Sequence, residues 1–305
     1  MSHEVVVVGS ANLDLVSTVT TIPAPGETVL STARDARAGG KGLNQAVAAS
    51  RAGARTLLVG ALGDDDAGRT LLEEAADAGI DTALVRRVAG PSGTAWIMVR
   101  PDGENAIVVD SGANATLESL TDEEREAVAA AGVVVAQLET PLAAVHEAAS
   151  VARVGGGRVV LNAAPARELP RELLACVDVL VVNEHEARHL SGHADPATAA
   201  THLLDVVGSV VVTLGAEGAL LADPAGQRRV AGVPATVVDT TGAGDTFTGV
   251  LAATLAAGAD LDTAAVRAVV AGALAVESAG AVPSIPTADQ IRARAEAHLA
   301  QEANR

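Results

Sequence analysis

Between Val5 and Leu214 the chain repeats one pattern: a short apolar run of strand length, then an alanine-rich segment of helical period. The runs are Val5–Val8, Leu57–Leu62, Val133–Leu138, Val159–Leu161, Val177–Val182 and Val210–Leu214. They are close to continuous rather than alternating, the pattern of strands buried on both faces. The segments between them include Gly42–Arg51, Ala67–Ala78, Asp122–Ala131 and Pro141–Val154. Strand–helix repetition builds a parallel sheet covered by helices on both sides, with right-handed crossovers. The expected fold class is therefore α/β: a three-layer α/β/α arrangement around a mostly parallel central sheet. It is read as a single domain over residues 1–305.

Two stretches break the repeat. Thr28–Ala38 and Thr94–Asp110 read as strands with no helix between their arms, and Pro101-Asp102-Gly103-Glu104 is a turn signal within the second. Together, about 12–38 and 94–110, they are expected to form a small β lid projecting from the main sheet. The last third, Asp262–Gly280 and Thr287–Asn304, reads as helical.

Composition limits how such a core is filled and what it can bind. There is one Phe, one Trp and no Tyr, so Ala, Val, Leu and Gly must fill the interior through close approach of helices to sheet. The formal charge of −17 argues against nucleic-acid and membrane surfaces as partners. Phosphates would have to be held by local devices: backbone N–H groups, helix N-termini, single cations and metal ions. The single cysteine, Cys176, allows no internal disulfide, and the N-terminus has no basic, apolar leader. A cytoplasmic protein is the expectation.

The strongest motif is Val237-Val238-Asp239-Thr240-Thr241-Gly242-Ala243-Gly244-Asp245, read as an apolar strand end, a glycine turn and a helix over Thr246–Ala257. Glycines at a helix start let N–H groups point at an anion, and the helix dipole reinforces them. Asp245 then lies beside the held phosphate, where a carboxylate can take the proton of an attacking hydroxyl. An acidic first turn with glycines for tight packing is the competing reading. A second stretch, Gly39-Gly40-Lys41-Gly42-Leu43-Asn44, leads into a helix. It is not a P-loop, because Gly42 follows Lys41. It offers close backbone approach to a polyol, with Lys41 and Asn44 as donors; otherwise it is a loop whose Asn44 caps a helix. A third, Gly9-Ser10-Ala11-Asn12-Leu13-Asp14, puts an amide and a carboxylate at a strand's carboxyl end, where open α/β sheets bind ligands. A plain turn is the alternative.

A fourth stretch, Asn183-Glu184-His185-Glu186-Ala187-Arg188-His189, contains the zinc-hydrolase spacing His-Glu-x-x-His. Its setting after an apolar strand, and the absence of a later methionine for a methionine turn, argue against zinc on His185 and His189 with Glu186 as base.

These stretches, in this order, resemble the ribokinase family of carbohydrate kinases from about Val5 to Pro286. Gln137-Leu138-Glu139-Thr140-Pro141, Asn162-Ala163-Ala164-Pro165-Ala166 and Thr213-Leu214-Gly215-Ala216-Glu217-Gly218 extend the likeness. The resemblance implies an ATP-dependent kinase acting on the terminal hydroxyl of a sugar, ribose first, with fructose, deoxyribose, other pentoses and nucleosides as alternatives. It implies sugar binding by Asn12, Asp14, Gly40, Lys41, Asn44 and Glu139, with Asp245 as general base. The amides of Gly242, Ala243 and Gly244 would form the anion hole. Asn183, Thr213, Gly215, Glu217, Gly218 and Gly244 would serve the nucleotide. Glu186 would order magnesium through water. Asp239, Thr241, Ala275, Ser278, Gly280 and Ser284 would hold potassium. Val269 stands where many relatives carry Asn or His near the adenine. A homodimer through the lid is also expected, since exposed strand edges invite pairing. A non-catalytic sugar sensor on the same fold is the remaining alternative, opposed by the intact Gly-Ala-Gly-Asp stretch.

Overall fold

The computed structural model describes residues 4–102 and 104–302. Gly103 of the turn signal and Asn304 of the last helical stretch lie outside the described residues. Along the chain the strands are β1 (Val5–Val8), β2 (Asn12–Thr18), β3 (Ala33–Gly39), β4 (Thr56–Gly63), β5 (Val85–Val88), β6 (Gly93–Val99) and β7 (Asn105–Asp110). They continue as β8 (Val133–Ala136), β9 (Arg158–Asn162), β10 (Val179–Asn183), β11 (Val210–Thr213), β12 (Gly218–Asp223) and β13 (Gly226–Ala231).

Nine of them form one sheet in the order β13-β12-β11-β10-β9-β8-β1-β4-β5. It is parallel from β11 to β5 and ends in the antiparallel hairpin β12–β13. Side chains alternate across it as the pleat requires. Val5 and Val7 join Leu43, Leu71, Val250, Ala268 and Ile291 on one face, while Val6 and Val8 join Val128, Val145, Leu173, Ala187 and Leu203 on the other. The expected three layers are present, with a core on each side of the sheet.

The small sheet has the order β3-β2-β6-β7. It differs from expectation in one consequential way. Asn12 and Asp14, expected at the carboxyl end of the first strand, lie within β2, which runs straight into the small sheet. The arm Thr28–Ala38 is a strand only from Ala33. The order places β2 at the centre, parallel to β6 and antiparallel to β3.

Two other readings are corrected. Val237 and Val238 form no strand; they are exposed by 64% and 62%, in an extended segment whose Val238 and Asp239 N–H groups donate to the Val276 carbonyl. An apolar run implies burial only where a sheet receives it, and this one follows β13 at the sheet edge. The helix expected to reach Gly280 ends at Ala275, and Gly280, at φ 84°, instead precedes the short helix Ala281–Ser284. β5 went unforeseen because Arg86 and Arg87 mask the apolar pattern of a half-exposed edge strand.

The shortage of aromatics is met by close helix contact. In helix Ala243–Ala256, a Cβ on Gly249 would stand 2.4 Å from the Gln45 carbonyl oxygen and 2.5 Å from the Ala48 Cβ, both in helix Lys41–Arg51. The glycine therefore sets the separation of these two helices. Gly249→Val is expected to lower unfolding stability by about 2 kcal/mol through overpacking, read as a fall in the urea midpoint; an unchanged midpoint would show that the helices can separate freely.

Candidate active site

The parallel strands all point their carboxyl ends to one edge of the sheet. There β8 leads to Gln137–Thr140, β9 ends in Asn162, β10 in Asn183 and β11 in Thr213. Helix Ala243–Ala256 starts at this edge, its N-cap Gly242 in the left-handed conformation at φ 75°. The first-turn amides of a helix have no partner within it. Here the Ala243 N–H makes a long bond of 3.3 Å to the Thr240 carbonyl, and the helix dipole adds positive potential at the same place.

Asp245 is in that first turn, 7% exposed. Its Oδ2 accepts from Asn44 Nδ2 at 2.9 Å and its Oδ1 from Gln45 Nε2 at 2.8 Å. The Asn44 Oδ1 is buried without a hydrogen-bond partner. Lys41 opens helix Lys41–Arg51, and its backbone N–H donates to Glu139 Oε2 at 3.1 Å, an oxygen that also accepts from Ser10 Oγ at 2.6 Å. Gly40 takes φ 88°, and a Cβ there would lie 2.7 Å from the Asn12 backbone N, so the turn needs glycine for both conformation and space. A Cβ at Gly39 would stand 2.1 Å from Asp14 Oδ2, so the carboxylate rests directly on bare backbone. Asn12 is held by Asn114, whose Nδ2 donates to Asn12 Oδ1 at 2.7 Å while its Oδ1 accepts the Ala11 N–H at 3.0 Å. Beside Asn12 and Glu139 lies a cavity of about 330 Å³ bordered by Val109, Thr140 and Arg167.

The charges here act on one another. Burial pushes Asp14 up to about 7, the Glu139 and Asp245 carboxylates push the same way, and Lys41 opposes them. Burial alone would lower Lys41, but Asp245, Glu139, Glu186 and Asp14 together hold it above its ordinary value. One buried ammonium thus stands among four acids. Burial raises Glu186 too, against the Asn183 N–H and Lys41.

Glu186 and Asn183 close a reciprocal cap, with Glu186 Oε2 accepting the Asn183 N–H and Asn183 Oδ1 accepting the Glu186 N–H, each at 2.8 Å. Glu186 is buried whereas His185 and His189 are exposed. The three residues of the zinc spacing therefore do not converge, and among the described residues no group of three His, Cys, Asp or Glu side chains is arranged to hold a metal.

A second cavity, of about 450 Å³, lies across the Gly242 turn and is lined by Thr213, Gly215, Gly218, Gly244, Phe247 and Val269 among others. Its walls are mostly apolar, as a flat heterocycle requires. Glu217 is not among its lining residues; its carboxylate pairs with Arg229 at 3.2 Å on the surface. On the far side of the turn, Asp239 gathers the next loops: Oδ2 accepts the Gly280 N–H at 2.8 Å, and Oδ1 accepts Thr241 N–H and Oγ1 at 2.9 and 2.7 Å. Burial would raise Asp239, but those donors and Arg37 hold it below the usual carboxylate range. Ala275 accepts the Ser278 N–H, and Ser284 Oγ donates to the Ala281 carbonyl. Arg37 reaches this loop from β3, its Nη1 2.6 Å from where a Gly280 Cβ would be.

The structure thus brings Asn12, Asp14, Gly40, Lys41, Asn44, Glu139 and Asp245 together and sets Asp239, Thr241 and Gly280 as a separate group beside them. Sequence reasoning did not assign roles to Ser10, Gln45, Asn114, Gln137 and Asn162. The available signal was polarity out of place: Asn44-Gln45 is a polar pair between Leu43 and the apolar run Ala46–Ala49.

A model of the pfkB family carbohydrate kinases matches residues 2–288. Ribokinase of Haemophilus influenzae is 38% identical, with 94% of this chain and 96% of that one covered. Ribokinase of Staphylococcus aureus is 36% identical over 95% and 99%. The structure of Arabidopsis thaliana ribokinase complexed with ribose and ATP superposes with a TM-score of 0.90 at 33% identity, covering 97% of this chain and 99% of that one.

The Asp14 environment has a consequence for stability. Its folded value of about 7 exceeds the ordinary 3.8, so the folded state binds more protons between these values. The contribution is fully present below about 3.8 and is lost as pH rises through 7. Asp14→Asn is therefore expected to be more stable than the parent above pH 7, the advantage shrinking as pH falls towards 4 in urea unfolding. Parallel pH profiles for the two proteins would contradict it.

Proposed function

This chain belongs to the pfkB family of carbohydrate kinases, and on that premise we propose that it transfers the terminal phosphoryl group of ATP to the 5-hydroxyl of D-ribose, giving ribose 5-phosphate and ADP. It is a phosphotransferase acting on a sugar hydroxyl. Ribose is favoured by the names of the relatives and by a cradle with an amide and a carboxylate, Asn12 and Asp14, for paired hydroxyls. The observation that carries the mechanism is the position of Asp245: a buried carboxylate in the helix turn that offers amides to an anion, and bonded to Asn44 of the polyol cradle.

Asn12, Asp14, Gly40, Lys41, Asn44 and Glu139 bind the sugar. The unpartnered Asn44 Oδ1 is an acceptor that a sugar hydroxyl can satisfy. Asp245 takes the proton of the 5-hydroxyl as its oxygen attacks phosphorus. The amides of Gly242, Ala243 and Gly244 stabilise the transferred phosphoryl group, an oxygen of which displaces the long Ala243–Thr240 bond. Thr213, Gly215, Gly218 and Gly244 receive ATP in the apolar cavity, while Asn183 and Glu217 lie outside its lining.

Glu186 is suited to magnesium through water, since a buried carboxylate is a hard oxygen donor. Bound magnesium neutralises phosphate charge. The oxygens available at Asp239, Thr241, Ala275, Ser278, Gly280 and Ser284 suit potassium in the same chemical sense. That ion would stabilise the loops flanking the anion hole.

The small sheet has two unlike faces. Asn12 and Asp14 share one with Ile97, Ile107 and Val109; Leu15, Trp96 and Val108 are cross-strand partners on the other. The first closes over the sugar and excludes water, which otherwise competes as acceptor. On the second, Trp96 and Val108 are 56% and 62% exposed, which supports a homodimer formed through the small sheets. A cytoplasmic location agrees with this small-molecule chemistry.

In a coupled ADP-release assay, ribose is expected to be the best acceptor over 2-deoxyribose, fructose and nucleosides, with potassium raising turnover. Asp245→Asn is expected to lower kcat by about 100-fold or more while calorimetry still detects ribose binding. Near-normal turnover of that variant would remove Asp245 as base. Light scattering is expected to give a dimer mass for the parent and a monomer mass for Trp96→Glu; a monomeric parent would overturn the dimer.

A further inference from the structure

Asp245 is held by a chain of buried amides whose hydrogen-bond polarity is set from outside the site. Gln45 is fully buried. Its Oε1 accepts from Gln137 Nε2 at 2.7 Å, and its Nε2 donates both to Asp245 Oδ1 at 2.8 Å and to Asn162 Oδ1 at 3.0 Å. Asn162 is itself oriented by the backbone, since its Nδ2 donates to the Val181 carbonyl at 3.2 Å. Each amide can therefore face only one way. A flipped Gln45 would turn its oxygen towards the oxygens of Asp245 and Asn162, leaving buried acceptors without a donor.

We propose that Gln45 is a positioning residue for phosphoryl transfer, holding Asp245 Oδ1 in a fixed buried bond so that Oδ2 is the oxygen presented to the sugar hydroxyl. The proposal rests on the reading of Asp245 as base. Oδ2 is bonded to Asn44, whose other amide atom is still unpartnered, so this side is the one the substrate can rearrange. In the reaction the hydroxyl O–H bond breaks and its proton passes to Oδ2. A bond forms from the sugar hydroxyl oxygen to phosphorus, and the bond from phosphorus to the ADP oxygen breaks. Glutamine suits the task because it fixes the carboxylate without adding charge. The charged groups acting with Asp245 are already Asp14, Lys41 and Glu186. A cation in place of Gln45 would pair with the carboxylate and oppose proton uptake.

The relay also joins four separate elements at one point. Gln45 comes from the helix after β3, Gln137 from the end of β8, Asn162 from the end of β9 and Asp245 from the helix whose close approach Gly249 permits. A buried aliphatic side chain would serve packing alone at lower desolvation cost, so four converging polar groups point to orientation.

The test compares Gln45→Met, which keeps volume and loses the donor, with Asp245→Asn and the double variant. Gln45→Met is expected to lower kcat by about 10- to 100-fold, the scale of a misaligned reacting group, with ribose KM and calorimetric affinity within about threefold, well under the ~10-fold that 1.4 kcal/mol represents. The double variant is expected to be no slower than Asp245→Asn in single turnover, because Gln45 acts through that carboxylate. Native kcat in Gln45→Met beside a dead Asp245→Asn overturns the positioning role and leaves the base intact. An active Asp245→Asn overturns the base itself. Additive losses in the double variant identify a packing role and also overturn the proposal. If Gln45→Met does not fold, Gln137→Met decides: it removes the donor that orients Gln45 without touching Asp245, and a kcat loss at unchanged ribose affinity is expected, with native kcat counting against the relay.

Discussion

The close approach of helix Ala243–Ala256 to helix Lys41–Arg51 is the constraint on which the site depends. With a hydrogen at position 249, the backbone of one helix rests on the other, and Asn44 and Gln45 come within hydrogen-bond reach of Asp245. A larger residue there would part the anion-binding turn from the polyol cradle. The alanine-rich core and the scarcity of aromatics thus bear on chemistry as well as on packing. Small side chains let two helices with different binding tasks meet at one carboxylate.

Charge is managed in the same local manner. The chain carries a formal −17, yet the edge proposed to receive phosphates offers amides, a helix dipole and one half-buried lysine. Lys41 stands among Asp14, Glu139, Glu186 and Asp245, each of which raises it by its charge. On the proposed reading, the hydroxyls of a polyol would donate to these crowded carboxylates. The far side of the turn uses a different device. Asp239 ties Thr241 to Gly280 by hydrogen bonds, with Arg37 of the small sheet resting against Gly280.

Much of this was legible before any fold was known. The two glycine stretches, Asp245 and the Asn12–Asp14 pair each had a turn, a cap or tight packing as an alternative, and it was their order along the chain that singled them out. Glu186 was separable from the zinc spacing by its setting after an apolar strand and by the absence of a later methionine. What escaped has equally definite causes. That Asn12 and Asp14 lie within a strand of the small sheet escaped, since only three residues separate β1 from β2 and the short gap hides a change of sheet. Val237-Val238 was read as a strand because apolar composition does not reveal whether a sheet edge is available. Gln45, Gln137 and Asn162 lie 25 residues or more apart and have no common pattern; only hydrogen bonds across the fold join them.

By itself the sequence determined the layered α/β architecture, the glycine turn at the helix start and the identity of the acid beside it. These follow from periodicity and from backbone conformations open chiefly to glycine, both local properties of the chain. The tertiary structure alone decided which amide holds each oxygen of Asp245, how far Asp14 is driven from its ordinary state, and which residues share each face of the small sheet. Those depend on distances between segments remote in sequence and on the exclusion of water from the space between them, and both arise only when the helices close on the sheet.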